Sequence, residues 1–367
     1  MSLPNLPKFI QSNVPLAPYT TLGVGGAAHY FAEAMSEREV LDSLDFAAQQ
    51  QVPVFILGGG SNVVIADAGF PGLVLRIGLR GVQTQVRNEH ALVTAAAGED
   101  WDSLVAHCVA QNWAGIECLS GIPGSVGGTP VQNVGAYGQE VSESIVMVRA
   151  FDRRHGQMVE LSNAECEFGY RRSRFNSTDR DRFIVLQVTY ALHVNGTPAL
   201  QYTDVQRFFA NTANASTLAE LRTAILTIRR RKAMVLDPAD SDTRSAGSFF
   251  KNPVVSAAVF GELETALRTA GLLKPEELIP HYLLANEQVK LPAAWLIERA
   301  GFAKGYTRGR VGLSNKHTLA LVNRGGATAA EILALMREIQ ARVQEKFGVE
   351  LLPEPVFVGF SEADTTN

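Results

Sequence analysis

Near the start of the chain, the pattern of apolar and polar residues is that of a helix followed by a strand, as in an α/β unit. From residue 38 to 50 apolar side chains recur at helical intervals, and an apolar run at 52–57 follows. This pattern predicts a helix and then a strand. The next residues are Gly58, Gly59 and Gly60. We therefore expect this glycine cluster at the end of a strand, where ligands bind in α/β folds.

The rest of the chain mixes helical and strand patterns without an internal repeat. Strand-like runs are expected at 72–77, 91–97, 145–151, 158–161, 183–191, 317–322 and 351–359. Helices are expected at 102–111, 217–232, 293–300 and 327–347. Thr328 and Glu331 have the spacing of a capping box at the start of the last helix. A polar, turn-rich stretch at 237–242 is consistent with a boundary before a final unit.

A second glycine-rich segment occupies residues 121–140 and reads GIPGSVGGTPVQNVGAYGQE. Glycine lets main-chain N–H groups approach a pyrophosphate closely and accepts positive φ. An ordinary turn-rich loop is the alternative interpretation. Two such clusters in one chain favour a single polyanionic ligand held from two sides. Neither GxGxxG in a strand-to-helix context nor GxxxxGK[ST] occurs, so a Rossmann nicotinamide site is unsupported.

Size and composition restrict the class of protein. With 367 residues, two or three domains are expected, and 46% apolar with 19% charged residues fit a compact fold. The net charge of −4 argues against a general nucleic-acid binder. No apolar stretch is long enough to cross a bilayer and the N-terminus lacks a signal-peptide pattern, so a cytoplasmic location is expected. Cys108, Cys118 and Cys166 show no CxxC spacing, and we expect buried thiols without a disulfide or a metal site.

Several polar residues could carry chemistry, and each has a plainer alternative. The basic block at 229–232 could face phosphates or could complement a helix dipole. Arg171 could grip a carboxylate, Ser248 could deliver a proton, and Glu354 lies between two prolines that restrict its backbone. A solvated arginine, a serine in a turn and a glutamate on an edge strand are the alternatives.

Six segments occur in the order seen in one enzyme family. They are TTLGVGG from Thr20, LGGGSN from Leu57, the segment 121–140, YRRS from Tyr170, GSFFKNP from Gly247 and PEPVFVG from Pro353. In these segments, which extend over nearly the whole chain, the sequence resembles UDP-N-acetylenolpyruvoylglucosamine reductase (UDP-N-acetylmuramate dehydrogenase) in its long-loop, type I form. The segment 121–140 and GSFFKNP are the most specific parts of the resemblance.

The resemblance implies an NADPH-dependent flavoenzyme of bacterial peptidoglycan synthesis, and hence of cell-wall biogenesis, cell shape and cell division. Hydride would pass from NADPH to FAD and then to C3 of the enolpyruvyl group of UDP-N-acetylglucosamine enolpyruvate. Ser248 would then protonate C2, which gives UDP-N-acetylmuramate. The enzyme would be a cytoplasmic monomer that binds small molecules and has no nucleic-acid, membrane or metal partner.

The implied fold is α+β with three domains. Residues 1–70 with 356–367 and residues 71–231 would form an FAD-binding unit of the vanillyl-alcohol-oxidase/PCMH type, and residues 232–355 an α/β substrate-binding domain. The residues that would hold FAD are Gly58, Gly59, Gly60, Ser61, Asn62, Gly121, Ile122, Pro123, Gly124, Gly127, Gly128 and Asn133.

Matching the family's motifs residue by residue implies catalytic roles for Arg171, Ser248 and Glu354. The substrate-binding residues implied in the same way are Tyr137, Tyr202, Lys232, Asn252 and His317. A packed or surface histidine is the alternative for His317. Thr20 stands where the family usually has asparagine, and Leu352 replaces an acidic residue of many relatives, which leaves Glu354 as the motif's sole carboxylate.

Two other functions stay open at this point. An FAD-dependent oxidase of the vanillyl-alcohol type shares the FAD-binding architecture, although the sequence has no convincing motif for covalent attachment of FAD. A non-catalytic sensor of nucleotide sugars that keeps the fold is the second alternative.

Overall fold

The computed structural model describes residues 6–210, 217–274, 276–284 and 286–361. The chain divides into two compact units, each built from separate stretches of sequence. The first unit comprises Met1–Val14, Ala27–Gly60 and Phe70–Leu236, and the second comprises Pro15–Gly26, Ser61–Gly69 and Asp237–Asn367. The three domains expected from the sequence stay a prediction. Residues 1–5 and 362–367 of the first domain, 211–216 of the second, and 275 and 285 of the third lie outside the described residues.

Both units contain strands and helices. The strands are β1 (Ile10–Pro15), β2 (Ala27–Ala34), β3 (Val54–Leu57), β4 (Val63–Ile65), β5 (Phe70–Ile77), β6 (Val82–Arg87), β7 (His90–Ala96), β8 (Trp113–Ala114), β9 (Gly135–Ala136), β10 (Gln139–Glu140), β11 (Ile145–Asp152), β12 (Gln157–Ser162), β13 (Phe183–Val194), β14 (Val254–Ser256), β15 (Tyr282–Leu283), β16 (Gln288–Lys290), β17 (Thr307–Arg308), β18 (Val311–Leu313), β19 (Leu321–Asn323) and β20 (Val356–Val358). The α-helices are α1 (Glu37–Gln50), α2 (Trp101–Ala110), α3 (Thr203–Phe209), α4 (Leu218–Arg231), α5 (Ala257–Thr269), α6 (Ala293–Arg299) and α7 (Ala329–Phe347).

Local sequence explains where the longer helices begin and end. Helix α1 starts after Ser36, whose side chain accepts a hydrogen bond from the Glu39 N–H at 3.2 Å. Helix α7 starts with the predicted capping box, in which Thr328 and Glu331 exchange side-chain and backbone hydrogen bonds. The same helix ends at Gly348, which adopts a φ of 64° that favours glycine.

The first unit combines a parallel sheet with a larger antiparallel sheet. In the sheet of order β1-β2-β5-β3, both β2 and β3 run parallel to β5, and α1 connects β2 to β3. The glycine cluster that begins at Gly58 therefore follows the carboxyl end of a parallel strand, as predicted. The second sheet has the order β12-β11-β13-β7-β6, with β8 beside β13. Its strands pair antiparallel.

One hydrophobic core serves both sheets of the first unit. It joins side chains from β5, β7, β13 and α2, among them Leu73, Leu75, Val93, Val188 and Trp101. Burial of this apolar surface, at about 25 cal/mol per Å², stabilises the platform from which the glycine-rich segment projects.

The second unit is built from small sheets around the long helix α7. The sheets have the orders β14-β16-β15, β17-β18-β19 and β4-β20, and β4 runs parallel to β20. One face of α7 buries Ile332, Leu335, Ile339 and Val343 in the core of this unit. Mixed helices and sheets in both units agree with the expected α+β class.

Most predicted elements are confirmed within a few residues, but two strand predictions are partly wrong. The strand expected at 317–322 covers only Leu321–Asn323, because His317 forms a turn in which its carbonyl accepts the Ala320 N–H at 3.1 Å. The run expected at 351–359 is a strand only at Val356–Val358. Glu354 therefore precedes the strand, since the flanking prolines lack an N–H for the ladder.

Candidate functional site

The two glycine clusters lie against each other in the first unit. A Cβ added to Gly59 would stand 2.6 Å from the Cα and 2.8 Å from the carbonyl carbon of Gly124, and 3.0 Å from the Ser125 nitrogen. A Cβ on Gly58 would stand 2.8 Å from the Ser125 Oγ. Only residues without a side chain permit this approach of two backbones. The arrangement fits a cofactor cradle assembled from two loops.

Two further glycines of the segment differ in their surroundings, since Gly127 packs closely against Ala97 and Gly128 faces open space. A Cβ on Gly127 would meet the Ala97 Cβ at 2.6 Å, whereas a Cβ on Gly128 would meet nothing within 4 Å. Ile122 packs against the hydrophobic core of the unit and leads into Pro123 and Gly124. These positions leave backbone accessible next to a rigid wall, which suits a large anionic group such as FAD.

A partly buried ion pair anchors the start of the segment. Asp102 accepts the Gly121 N–H at 2.6 Å and binds Arg222 through both carboxylate oxygens, at 2.6 and 2.9 Å. Burial acts to raise the pKa of Asp102, but the hydrogen bonds from Arg222 and Gly121 and the nearby positive charge hold that pKa below its usual value. Gly121 itself has a φ of 72°, and a Cβ there would lie 2.7 Å from a Leu226 methyl group.

Asn133 fixes the far part of the segment. Its side chain is buried, its Nδ2 donates to the Glu140 Oε2 at 2.7 Å and to the Gly169 carbonyl at 3.0 Å, and its Oδ1 accepts the Ser142 N–H at 3.1 Å. These bonds tie the glycine-rich segment to the loop that carries Arg171. A contact between Asn133 and the cofactor stays a prediction.

Arg171 is held in a strained backbone conformation beside the same segment. Its φ is 52°, which is uncommon for a residue with a side chain. The Arg171 Nη2 donates to the Gly135 carbonyl at 2.9 Å, and its guanidinium lies 5.6 Å from the centre of the Tyr170 ring. This placement orients the fork of the guanidinium, as gripping a carboxylate would require.

Tyr137, Tyr202 and Lys232 come together in the first unit. The rings of Tyr137 and Tyr202 meet edge to face with centroids 5.4 Å apart. Lys232 Nζ donates to the Asp204 carboxylate at 2.7 Å, and Asp204 belongs to α3, the helix that Tyr202 precedes. Three residues for which the family resemblance implies substrate binding are thus gathered around α3 and the end of α4.

The residues of the basic block at 229–232 differ in their surroundings, and a role in binding phosphates stays a prediction. Arg230 and Arg231 are exposed at the end of α4, where they complement its dipole. Arg229 is buried, and its Nη2 donates to the Met234 carbonyl at 2.7 Å. Burial lowers the pKa of Arg229 and raises the pKa of the neighbouring Tyr137 hydroxyl, to which Arg229 is hydrogen-bonded.

In the second unit, the backbone of Phe249 joins three segments that carry candidate residues. The Phe249 N–H donates to the Leu319 carbonyl, and the Glu354 N–H donates to the Phe249 carbonyl, each at 2.8 Å. Ser248 therefore lies between the His317 turn and the Glu354 segment, and its Oγ is 3.4 Å from the His317 Nε2. The Phe249 side chain is fully buried, which makes this junction rigid.

Ser61 and Asn62 also belong to the second unit, next to Glu354. The Asn62 carbonyl accepts the Val356 N–H at 2.9 Å, and its Nδ2 donates to the Glu354 carbonyl at 3.3 Å. The Ser61 carbonyl accepts the Thr21 hydroxyl at 3.5 Å. These bonds join the segment of Asn62 to that of Glu354 within the second unit.

Asn252 lies at the start of α6 in the same unit. Its Oδ1 accepts the Ala293 N–H at 2.9 Å, which satisfies one donor of the first helical turn. The side chain therefore has a structural partner, and its assignment to uridine stays a prediction.

Sequence reasoning missed Glu117, whose buried carboxylate joins the glycine-rich segment at Gln139 to Gly115 and Ala199. Glu117 is 1% exposed, and its carboxylate accepts the Gly115 N–H at 2.7 Å, the Gln139 Nε2 at 2.9 Å and the Ala199 N–H at 3.3 Å. An acidic residue within an apolar run was the available signal, because buried carboxylates require partners. Asp102 and Asp204 were missed because their partners are distant in sequence.

The cysteines are buried free thiols, as predicted. Burial raises the pKa of Cys108 and of Cys166 to about 12 and raises the pKa of Cys118 as well, so none is an activated nucleophile. Among the described residues, no group of three His, Cys, Asp or Glu side chains could hold a metal ion. In the same part of the chain, no helix combines the length and apolar character needed to cross a membrane.

Known proteins resemble this chain over most of its length. A family model described as UDP-N-acetylenolpyruvoylglucosamine reductase, C-terminal domain, matches residues 237–358, and an FAD binding domain model matches residues 28–162. The UDP-N-acetylenolpyruvoylglucosamine reductase of Thermobifida fusca is 48% identical, over 95% of this chain and 97% of its own length. That of Streptomyces coelicolor is 46% identical, over 95% and 90%.

A solved structure agrees with the fold. The crystal structure of UDP-N-acetylenolpyruvylglucosamine reductase from Thermus caldophilus matches with a TM-score of 0.63 and 24% identity, over 95% of this chain and 100% of that one. The FAD binding domain match places the first unit's sheets in a fold of the PCMH type.

Proposed function

Because the chain belongs to the UDP-N-acetylenolpyruvoylglucosamine reductase family, whose members are FAD-containing oxidoreductases of peptidoglycan synthesis, we propose that it uses NADPH to reduce the enolpyruvyl group of its UDP-sugar. The catalytic residues would be Arg171, Ser248 and Glu354. The product would be UDP-N-acetylmuramate. The observation that carries the proposed roles is the junction at Phe249, whose backbone binds the segments of Ser248 and Glu354 together.

The glycine clusters are the residues that would hold FAD. Gly58, Gly59 and Gly60 would supply main-chain N–H groups on one side, and the segment that contains Gly124 and Gly128 would do so on the other. Bound FAD supplies the two-electron chemistry that carries reducing equivalents from NADPH to C3 of the enolpyruvyl group. The close contact of Gly59 with Gly124 supports a shared cradle.

The chain's own residues would stabilise the negative charge that develops on the substrate and would supply the proton to C2. Addition at C3 places negative charge on C2 and on the substrate carboxylate, and the Arg171 guanidinium would bind that carboxylate with two parallel hydrogen bonds. Glu354 would assist as a neutral hydrogen-bond donor or by sharing a proton. Ser248 would protonate C2 from the face opposite to the flavin, which fixes the stereochemistry of the product.

The sugar nucleotide would be held in the first unit by the group around α3. Lys232 would bind the diphosphate in place of its present partner Asp204, and Tyr202 and Tyr137 would contact the substrate through their adjacent rings. In the second unit Asn252 would contact uridine, and His317 would contact the substrate near Ser248.

Half-reactions test the role of Ser248. In the Ser248→Ala variant, anaerobic bleaching of the flavin by NADPH should proceed at the normal rate, because that step needs no proton from serine. Reoxidation by UDP-N-acetylglucosamine enolpyruvate should slow by roughly 10² to 10⁴, the usual contribution of a positioned general acid. Ser256→Ala is a matched control, since Ser256 caps α5 and should affect stability but neither rate. Equal slowing of both half-reactions in Ser248→Ala would reject the role.

We also propose that the enzyme acts as a cytoplasmic monomer. Its substrates, a UDP-sugar and NADPH, are soluble small molecules that need no partner protein for delivery. Light scattering on the FAD-loaded protein should give a mass close to the 39.7 kDa of one chain. A mass of twice that value at micromolar concentration would contradict the proposal.

A further inference from the structure

The side chain of His317 approaches the candidate proton donor. The Ser248 Oγ and the His317 Nε2 are 3.4 Å apart, at the long end of hydrogen-bond distances. Pairs that transfer protons often show such long contacts until substrate aligns them. A hydroxyl beside an imidazole nitrogen is an arrangement suited to proton exchange between the two groups.

The turn that carries His317 is fixed on both sides. Asp242 accepts hydrogen bonds from the Ser314 hydroxyl at 3.1 Å and from the Asn315 N–H at 2.9 Å. After the histidine, the Leu319 carbonyl accepts the Phe249 N–H at 2.8 Å. The backbone on either side of the imidazole is thus tied to the core of the second unit, while the His317 side chain is half-buried and keeps contact with solvent.

A serine that acts as a proton donor needs a source from which to regain its proton. A serine that gives its proton to carbon becomes an alkoxide, a strong base that must regain a proton before the next turnover. Histidine is the side chain that ordinarily changes charge near neutral pH, so it can take a proton from water and pass it on. His317 is half-buried and lies beside Ser248, so it can exchange protons both with water and with the serine.

We propose that His317 reprotonates Ser248 and thereby completes the proton path from solvent to substrate. This inference rests on the proposed function, in which Ser248 protonates C2. The Ser248 O–H bond breaks as its proton bonds to C2, and the alkoxide then takes the Nε2 proton of the His317 imidazolium. The neutral imidazole then takes a proton from hydronium or a buffer acid, which is the one proton that reduction by NADPH consumes, and neither residue changes oxidation state. In this proton transfer His317 is a relay residue that acts through the serine, in addition to the substrate contact proposed above.

Several charged side chains lie on the segments that adjoin His317. Lys316, the residue before His317, is paired with Asp240, and Glu298 accepts a hydrogen bond from the Thr318 hydroxyl. The remaining carboxylates on adjoining segments are Asp242 and Glu354. Basic residues on adjoining segments are Arg244, whose carbonyl accepts the Asn323 N–H, and Lys251, whose N–H donates to the Leu352 carbonyl.

Chemical rescue tests the relay with the FAD-loaded enzyme. His317→Ala should be reduced by NADPH at the normal rate, but reoxidation by UDP-N-acetylglucosamine enolpyruvate should slow by about 10²-fold, the lower end of the range for acid–base groups. Added imidazole should restore most of that rate in a concentration-dependent way, because it can replace the missing ring. His155→Ala, at an exposed histidine of the first unit, is the control and should be normal with or without imidazole.

A conservative variant and a spectroscopic measurement separate a relay from a structural role. His317→Gln keeps a hydrogen-bonding side chain but cannot carry a proton through a ring, so it should be as slow as His317→Ala. In ¹⁵N NMR spectra of the wild type, the His317 signal, assigned by its loss in His317→Gln, should shift its titration midpoint when Ser248 is replaced by alanine.

The outcomes distinguish this inference from the function on which it rests. Failure of the wild-type enzyme to reduce the UDP-sugar would overturn both. A slow Ser248→Ala variant together with a normal His317→Ala variant would overturn the relay alone. So would a slow His317→Ala variant that imidazole does not rescue, or a His317→Gln variant with the wild-type rate.

Discussion

Replacing Gly59 with alanine should weaken FAD binding through the contact of the two glycine clusters. The new Cβ would lie 2.6 Å from the Gly124 Cα and 2.8 Å from its carbonyl carbon. Non-bonded carbon atoms prefer about 3.5 to 4.0 Å, so the two segments must move apart by about 1 Å. Overpacking of this kind costs about 1–3 kcal/mol. The apoprotein can relax by separating the loops, whereas the FAD-bound protein cannot, so the cost appears as roughly five- to 140-fold weaker binding.

Titration of apoprotein with FAD, followed by flavin fluorescence, measures this change. Gly128→Ala distinguishes an effect on FAD binding from an effect on folding. Its Cβ would meet nothing within 4 Å, so this variant should leave the Tm of the apoprotein unchanged. Gly261→Ala, on the exposed side of α5 with open space around its Cβ, controls for glycine replacement and should bind FAD normally. A Gly59→Ala variant with the wild-type Kd and Tm would refute the shared cradle.

Three further predictions concern charged groups. Arg171→Lys should lose at least tenfold in kcat/KM, because an ammonium cannot form the bidentate contact with the substrate carboxylate, and a near-normal value would remove that argument. Asp204→Asn should release Lys232 and lower the KM for the UDP-sugar by up to about fivefold, the value of an exposed ion pair, and a raised KM would instead make the aspartate a positioning group. Hydrogen bonds from Arg182, opposed by burial, hold the pKa of Asp152 well below its usual value, so the carboxylate stabilises the fold above about pH 4 and loses this effect as the pH falls toward its folded pKa. Asp152→Asn should therefore lower the Tm at pH 7, with a difference from wild type that shrinks below about pH 4, and a constant difference across this range would contradict the reasoning.

Periodic patterns along the chain predicted its longer elements well. The helix expected at 38–50 is Glu37–Gln50, and the capping box at Thr328 marks the start of α7. These features depend on neighbours within one or two turns, so the local sequence contains the information. The two strand errors have the opposite cause: His317 and Glu354 lie in segments whose hydrogen bonds go to Phe249 and to local turns instead of a long ladder.

Similarity to reductases over 95% of the chain decided between the reductase, the flavin oxidase and the nucleotide-sugar sensor. Covalent flavin oxidases and nucleotide-sugar sensors could share the glycine clusters, but the relatives at 48% and 46% identity are reductases of one family. A glycine cluster alone restricts the ligand to a class, since backbone N–H groups bind any phosphate that fits.

The sequence by itself determined the glycine clusters, the buried thiols and the main helices, because glycine content, apolar periodicity and capping act locally. Only the tertiary structure decided which residues meet. Asp102 reaches Gly121 and Arg222, Lys232 reaches Asp204, and Ser248 reaches His317 across 69 positions of sequence. Such contacts form because burial of the core brings distant segments together, and polar groups that lose water there must find partners in each other.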